Sequence, residues 1–308
     1  MFDKSHKPLI GEVEILDRDV RAITAPNASP MTFTGTRSYL VGQGHVALID
    51  PGPDRPAHWQ AITAALGAGE QIEAIVVTHS HVDHSPLATR LAREFDVPIY
   101  GFGAHDAGRS PVMATLGDLG GAEGIDTDFA PDIRVADGDV ISGNGWALEV
   151  VHTPGHLSNH IALATGDRLF SGDHVMGWAT TLISPPDGDL TAFMASLDRC
   201  MAREDRVFYP GHGAPITDPL ALVAHIRDHR LARTDQIIET LDARPSTIAE
   251  ITEAIYRDVD PRLHPAAARN VLAHLIDLYA RGRVGADTGI TIDARFHLER
   301  SVPQDDMS

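Results

Sequence analysis

The sequence predicts an α/β domain followed by a small winged-helix-like α+β unit. Three observations carry this. From Val46 to Tyr100, short β-branched runs alternate with amphipathic stretches, a β-α-β-α-β rhythm that packs helices on a sheet. Several apolar strand patterns end in a turn bearing His or Asp, so polar groups gather at one edge of that sheet. Beyond His225 to Arg230 the pattern turns helical and charged, which divides the chain into residues 1–228 and 229–308.

In chain order, residues 11–24 alternate loosely and read as an opening strand pair. Tyr39-Leu40-Val41 and Val46-Ala47-Leu48-Ile49 form a hairpin about Gly42-Gln43-Gly44, ending in Asp50-Pro51-Gly52. Asp50 is either a turn former or an acceptor that orients a histidine. Arg55 to Leu66 fits a helix with Trp59, Ile62, Ala65 and Leu66 on one face. Glu73 to Val77 reads as a buried strand leading into Thr78-His79-Ser80-His81-Val82-Asp83-His84. Ser85 then caps, and Pro86 opens, a helix through Phe95. Val97 to Tyr100 is the next strand.

Gly103 to Asp132 lacks periodicity and reads as a binding loop or an insertion, with His105 at the surface. Asp137-Gly138-Asp139 and Gly143-Asn144-Gly145 are turns around short strands. Leu148 to Val151 runs into His152-Thr153-Pro154-Gly155-His156. His160 to Leu163 and Leu169-Phe170 make a hairpin that ends at Ser171-Gly172-Asp173. Leu190 to Ala202 is an amphipathic helix holding Cys200 as a packed thiol, and Val207 to Tyr209 is a strand ending at His212. In the last part, helices are expected at 232–241, from Ser246-Thr247 onward and at 265–280, with strands at 283–284 and 289–296.

Charge and composition narrow the function. The chain has 308 residues with a formal net charge of −18, which disfavours non-specific binding to phosphate backbones. From His229 onward it carries ten Arg, no Lys and thirteen Asp plus Glu. A nucleic-acid reader should show a basic stripe. The C-terminal unit is therefore expected to pack over the active site or to mediate a homodimer. One cysteine cannot form an intramolecular disulfide, no secretory leader is visible, and no apolar run reaches membrane-spanning length, so a cytoplasmic protein without membrane contact is expected.

The polar strand ends point to metal chemistry. His79 and His81, two residues apart, converge on one ion with His156 to complete the set. Asp83 and His84 face elsewhere and serve a second ion with His212. Asp173 can bridge, because a carboxylate has lone pairs for both ions. Such a pair makes a bridging hydroxide near neutral pH, and Asp83 can orient that water and take its proton. No nucleophile-elbow motif is present.

These residues resemble the metallo-β-lactamase superfamily motif THxHxDH~H~D~H over about the first 225 residues. The resemblance implies an αβ/βα sandwich of two mixed β-sheets flanked by helices, with the metals at one edge. Thr36 to Gly42, His152 to His160, Phe170 to Asp173 and Tyr209 to Gly213 look like the β-lactamase-like protein 2 branch, which also ends in a winged-helix-like domain. In that branch Asn159 and His160 lie near the site, either to stabilise an oxyanion or protonate a leaving group, or to fix the loop. His174 is expected beside the ligands rather than among them. The expected function is a hydrolase with two Zn2+, iron or manganese remaining open, acting on a small ester, thioester or lactone. The alternatives are a single-strand endoribonuclease on RNA, a β-lactamase and an iron persulfide dioxygenase.

Overall fold

The computed structural model describes residues 2–117, 119–121 and 124–299. Residues 118, 122 and 123 of the expected 103–132 loop, and 300–308 of the expected C-terminal unit, lie outside them. One sheet orders its strands as they occur in the chain: β1 (Val13–Asp17), β2 (Val20–Thr24), β3 (Arg37–Gln43), β4 (His45–Ile49), β5 (Gln71–Val76), β6 (Ile99–Gly101) and β7 (Ile133–Arg134). Strands β1 to β4 are antiparallel, and β4 to β7 are parallel. Parallel neighbours need crossovers, which α1 (Pro56–Ala64) and α2 (Leu87–Phe95) supply. Helix α3 (Pro111–Thr115) lies between β6 and β7.

The second sheet has β8 (Val140–Gly143), β9 (Trp146–His152), β10 (Ile161–Thr165), β11 (Arg168–Gly172) and β12 (Val207–Pro210) in the spatial order β12-β11-β10-β9-β8. Only β11–β12 is parallel, and α4 (Leu190–Met201) makes that crossover. Both sheets are therefore mixed, the sandwich that the sequence led us to expect.

Alternation explains how each strand serves two layers. Tyr39, Val41, Ile49 and Val76 face Leu148, Val150, Leu163 and Phe170 between the sheets. Their neighbours Leu40, Leu48 and Ile75 turn outward onto Ile62, Leu87 and Leu91 of α1 and α2. On the far side, Phe193 and Leu197 of α4 cover Ala162, Leu169 and Phe208, with Cys200 fully buried among them. Each large apolar side chain so buried stabilises the fold by about 1.5–3 kcal/mol. Strands covered on both faces read as nearly continuous apolar runs, which is why they were visible in the sequence.

Helix α5 (Pro219–Ala243) is longer than the expected 232–241. Asp218 caps it, and Pro219 stands in its first turn. Its early residues Leu222, Val223 and Ile226 belong to the core behind the second sheet, and its later Ile237 and Leu241 to a separate C-terminal core. The expected division at 228/229 falls inside this helix, and we propose it as the point where the helix passes from one core to the other. Helices α6 (Ile248–Ile255) and α7 (His264–Ala280) complete that core with a sheet ordered β13-β15-β14, where β13 is Ser246–Thr247, β14 Val284–Ala286 and β15 Arg295–Leu298. Thr247 opens α6 with a reciprocal capping box to Glu250. The strand expected at 289–296 starts only at Arg295, because Asp287 turns the chain there and accepts from the Arg295 N–H at 3.0 Å.

Three further expectations are corrected. Helix α2 begins at Leu87, with Pro86 as its helical N-cap. The Ser85 hydroxyl is taken elsewhere, donating to Asp126 Oδ2 at 2.6 Å. The segment from Gly103 to Asp132 is not merely a loop. Ser110 caps α3, and Met113 and Leu119 bury into the C-terminal core. His105 is half-buried rather than exposed. It lines a cleft of about 190 Å³ with Arg109, Asp187 and Ile125.

Candidate metal centre

The ends of β5, β9, β11 and β12 open on one edge of the sandwich, and the loops that follow bring the candidate donors together. His79, His81, His156 and Asp173 present donor atoms within 4.8 Å of one another, and so do Asp83, His84 and His212. His79, His84, His156, Asp173 and His212 are buried; His81 and Asp83 are half-buried. The Asp173 carboxylate touches both groups. One oxygen lies 3.5 Å from His84 Nε2, and the other lies 3.3 Å from His212 Nε2 and 3.7 Å from His156 Nε2.

Each buried ring is held from behind. Asp50 Oδ2 lies 2.9 Å from His84 Nδ1, and the same carboxylate accepts from the Thr78 N–H and hydroxyl, both at 2.7 Å. Asp50 sits at φ +47°, where the strand end turns. Of its two expected roles it fills the orienting one, since its carboxylate is taken by Thr78 and His84. The Thr78 hydroxyl, its proton given to Asp50, is left to accept from His79 Nδ1 at 2.9 Å. His156 Nδ1 donates to the Leu182 carbonyl at 2.8 Å, and His212 Nδ1 donates to that of Gly35 at 3.2 Å. At His79 and His156, which burial keeps neutral, an outward Nδ1–H fixes the tautomer and leaves the Nε2 lone pair facing inward.

The inward atoms then meet with too few protons. His81 Nδ1 lies 3.0 Å from His79 Nε2 and 3.0 Å from His156 Nε2. One proton on His81 could serve one of these contacts, not both. Burial, reinforced by the neighbouring rings, holds His79 well below the usual histidine range and His81 at about 3. His156 is also lowered, chiefly by burial. Three neutral nitrogens converging on one another fit a cation.

The other group differs. Asp83 Oδ2 lies 3.3 Å from His84 Nε2 and 3.2 Å from His212 Nε2, and accepts from the Thr36 hydroxyl at 3.0 Å. Burial pushes both imidazoles down, but the carboxylates outweigh it. His84 is raised well above its ordinary value by Asp83, Asp173 and Asp50, and His212 to about 10 by Asp173 and Asp83. For Asp83 and Asp173, burial pulls upward, and the facing imidazoles prevail to hold both well below the carboxylate range. Nitrogen and carboxylate donors without thiolate suit zinc, and equally iron or manganese.

Close backbone approach makes this possible at Gly211. A Cβ there would stand 2.3 Å from Asp173 Oδ1 and 2.8 Å from His84 Cε1. The Gly211 N–H donates to Gly172 O at 2.8 Å, and Gly211 O accepts from the Arg37 N–H at 2.8 Å, so β12 delivers His212 at a fixed height.

Asn159 and His160 stand behind the donors. His160 is fully buried and engaged at both nitrogens, Nδ1 with the Thr153 hydroxyl at 2.8 Å and Nε2 accepting from the Asp173 N–H at 3.1 Å. Asn159 Nδ2 donates to Ser80 Oγ at 3.0 Å and to Gly103 O at 3.1 Å. His174 packs edge-on against Phe193 at 4.7 Å between ring centroids. The sequence reading missed Thr78 as a link between Asp50 and His79, Gly211 as the cradle of Asp173, and the Leu182 carbonyl. Thr78 and Gly211 adjoin the motif residues, whereas nothing local marks Leu182.

Comparison with known proteins follows the same lines. The family model of the metallo-beta-lactamase superfamily matches residues 31–212, and that of the beta-lactamase associated winged helix domain matches residues 247–290. A beta-lactamase-like protein 2 homolog of Drosophila melanogaster is 31% identical over 90% of this chain and 93% of its own. An atrochrysone carboxyl ACP thioesterase of Aspergillus fumigatus is 30% identical over 81% of this chain and 77% of its own. A beta-lactamase domain protein of Burkholderia ambifaria shares the fold with a TM-score of 0.78 at 22% identity, over 96% of each chain.

Proposed function

The chain belongs to the metallo-β-lactamase superfamily of hydrolases and carries that family's associated winged helix domain, and on this premise we propose a binuclear zinc hydrolase of small thioesters, esters or lactones. The convergence of inward lone pairs at His79, His81 and His156, beside the carboxylate-rich group of Asp83, His84 and His212, carries the proposal. Those six residues would hold two ions, with Asp173 between them. Bound there, the ions supply an activated water near neutral pH and an electrophilic contact for the substrate carbonyl.

The chain's own residues do the remainder. Asp83, steadied by Thr36, accepts the proton of the attacking water. His160 positions Asp173 through its backbone N–H, and Asn159 ties the His79 loop to Gly103; we read both as positioning residues rather than proton donors. Thioesters stand first among the substrates because of the thioesterase relative.

The endoribonuclease reading would need free arginines leading to the site. Arg109 is paired with Asp187, and Arg230 is bonded to Thr181 O and Asn270. Those contacts favour the small-molecule reading. Among the described residues no helix is long and apolar enough to cross a membrane. A cytoplasmic location and a homodimer through the C-terminal unit remain part of the proposal.

Elemental analysis of the purified protein tests it, together with thiol release from acyl thioesters. About two zinc ions per chain and thioester turnover are expected for a two-metal site. One iron per chain with oxygen uptake on persulfide, or cleavage of single-stranded RNA alone, would refute it.

A further inference from the structure

The C-terminal helices grip a short strap, residues 181–185, that runs behind the metal centre. Thr181 Oγ1 donates to the backbone carbonyls of Asp173, at 2.7 Å, and His174, at 3.0 Å. The next residue, Leu182, offers the carbonyl that accepts the His156 Nδ1–H at 2.8 Å. Two candidate ligands on different loops therefore depend on two consecutive strap residues.

The strap is held from the other side by α5 and α7. Arg230 of α5 donates through Nη2 to the Thr181 carbonyl and through Nη1 to Asn270 Oδ1 at 3.0 Å. Asn270 of α7 accepts from the Ile183 N–H on the same oxygen at 3.2 Å, and Arg269 Nε donates to Ser184 Oγ at 2.9 Å. Arg230 is 2% exposed and lies over the Phe193 ring at 5.3 Å. Its hydrogen bonds go to a carbonyl and an amide oxygen, and among the described residues no carboxylate pairs with it. A buried guanidinium without a counter-charge is unfavourable for stability alone. Its geometry serves another end, because its planar fork can grasp the strap and α7 at once.

We propose that Arg230 and Asn270 are positioning residues for the metal centre. Through the strap they fix the ring of His156 and its inward Nε2, so the C-terminal domain is a working part of the ligand set. This rests on the binuclear reading given above.

The test uses the full-length chain. Zinc affinity at each of the two groups is measured by competition with a chromophoric chelator in wild type, Arg230→Met, Arg230→Lys and Asn270→Ala. The His156 tautomer is followed separately by 15N NMR of metal-free, histidine-labelled protein. Loss of an orienting partner weakens metal binding about 10- to 100-fold. Arg230→Met is expected to lose that much at the His79, His81 and His156 group and less at the Asp83, His84 and His212 group, which the strap reaches only through the Asp173 backbone carbonyl. Arg230→Lys, which keeps a donor for the Thr181 carbonyl, should recover part of it. The Nδ1–H signature of His156 should broaden or shift in Arg230→Met.

Unchanged affinity at both groups in a folded Arg230→Met protein overturns the inference, and so does an equal fall at both that follows a loss of thermal stability. Should Arg230→Met fail to fold, Asn270→Ala decides by the same readings. A wild-type protein that binds no metal refutes the binuclear reading instead. The tautomer comparison then decides the strap alone, and an unaltered His156 signature overturns it.

Discussion

The two donor groups of the centre lie side by side and are built on opposite electrostatics. His79, His81 and His156 have one another's nitrogens for close neighbours and are kept neutral by burial. His84 and His212 alternate with the carboxylates of Asp83 and Asp173, which hold protons on them. The first group points lone pairs at one another. The second can satisfy itself with protons and must give them up to bind a cation. A two-ion site so built is expected to load in order, with the neutral group filling first at low pH.

Removing the shared residue should break the comparison altogether. Asp173→Ala takes a carboxylate from both groups at once, and hydrolysis should fall by roughly 10³-fold or more, on the scale of losing a metal's charge stabilisation. Zinc content per chain, read by elemental analysis, should drop with it. Retention of both ions would show that Asp173 is not the link.

Crowding should separate the groups from the fold. Gly211→Ala puts a methyl group against Asp173 Oδ1 and His84 Cε1. Zinc affinity is expected to fall about 10- to 100-fold, as for disturbed ligand orientation, with far-ultraviolet circular dichroism unchanged. Normal binding would mean that the β12 turn relaxes freely.

Acidity sharpens the contrast. Below about 10, His212 holds a proton that a metal must displace, and the carboxylates around His84 likewise favour its protonated form. Affinity at that group should therefore rise with pH by about tenfold per unit for each proton released. At the neutral group burial holds all three imidazoles below the ordinary histidine range, so its affinity should change much less across the same interval. Chelator competition across pH 6 to 8, with proton release followed in weak buffer, reads both slopes. Equal slopes would remove the distinction.

The smallest effect is a control. Thr247→Ala removes the cap of α6 and should lower stability by about 1 kcal/mol in denaturant unfolding without moving either zinc affinity. A shift in metal binding would show that α6 also reaches the centre.

Much of this was legible in the sequence because it is local. The His79 to His84 loop follows a β-branched strand, and the turns at Gly155, Gly172 and Gly211 each stand beside a His or Asp. Asp50 was readable as an orienting acceptor for the same reason. Helix α5 was misread because its buried residues change partners along its length, so no single stripe marks it. The strand at Arg295 was placed too early because a β-branched run continues into the turn that Asp287 organises. The grip of Arg230 on Thr181 spans 49 positions and leaves no periodic trace. Nor does a carbonyl such as that of Leu182 announce itself by side-chain type.

Helix α5 carries one more consequence. Because a single rod of 25 residues contributes to two hydrophobic cores, neither half can melt while the other keeps its full complement of contacts. Heat should therefore meet one cooperative block, with a single calorimetric transition, and not a catalytic body trailing an independent appendage.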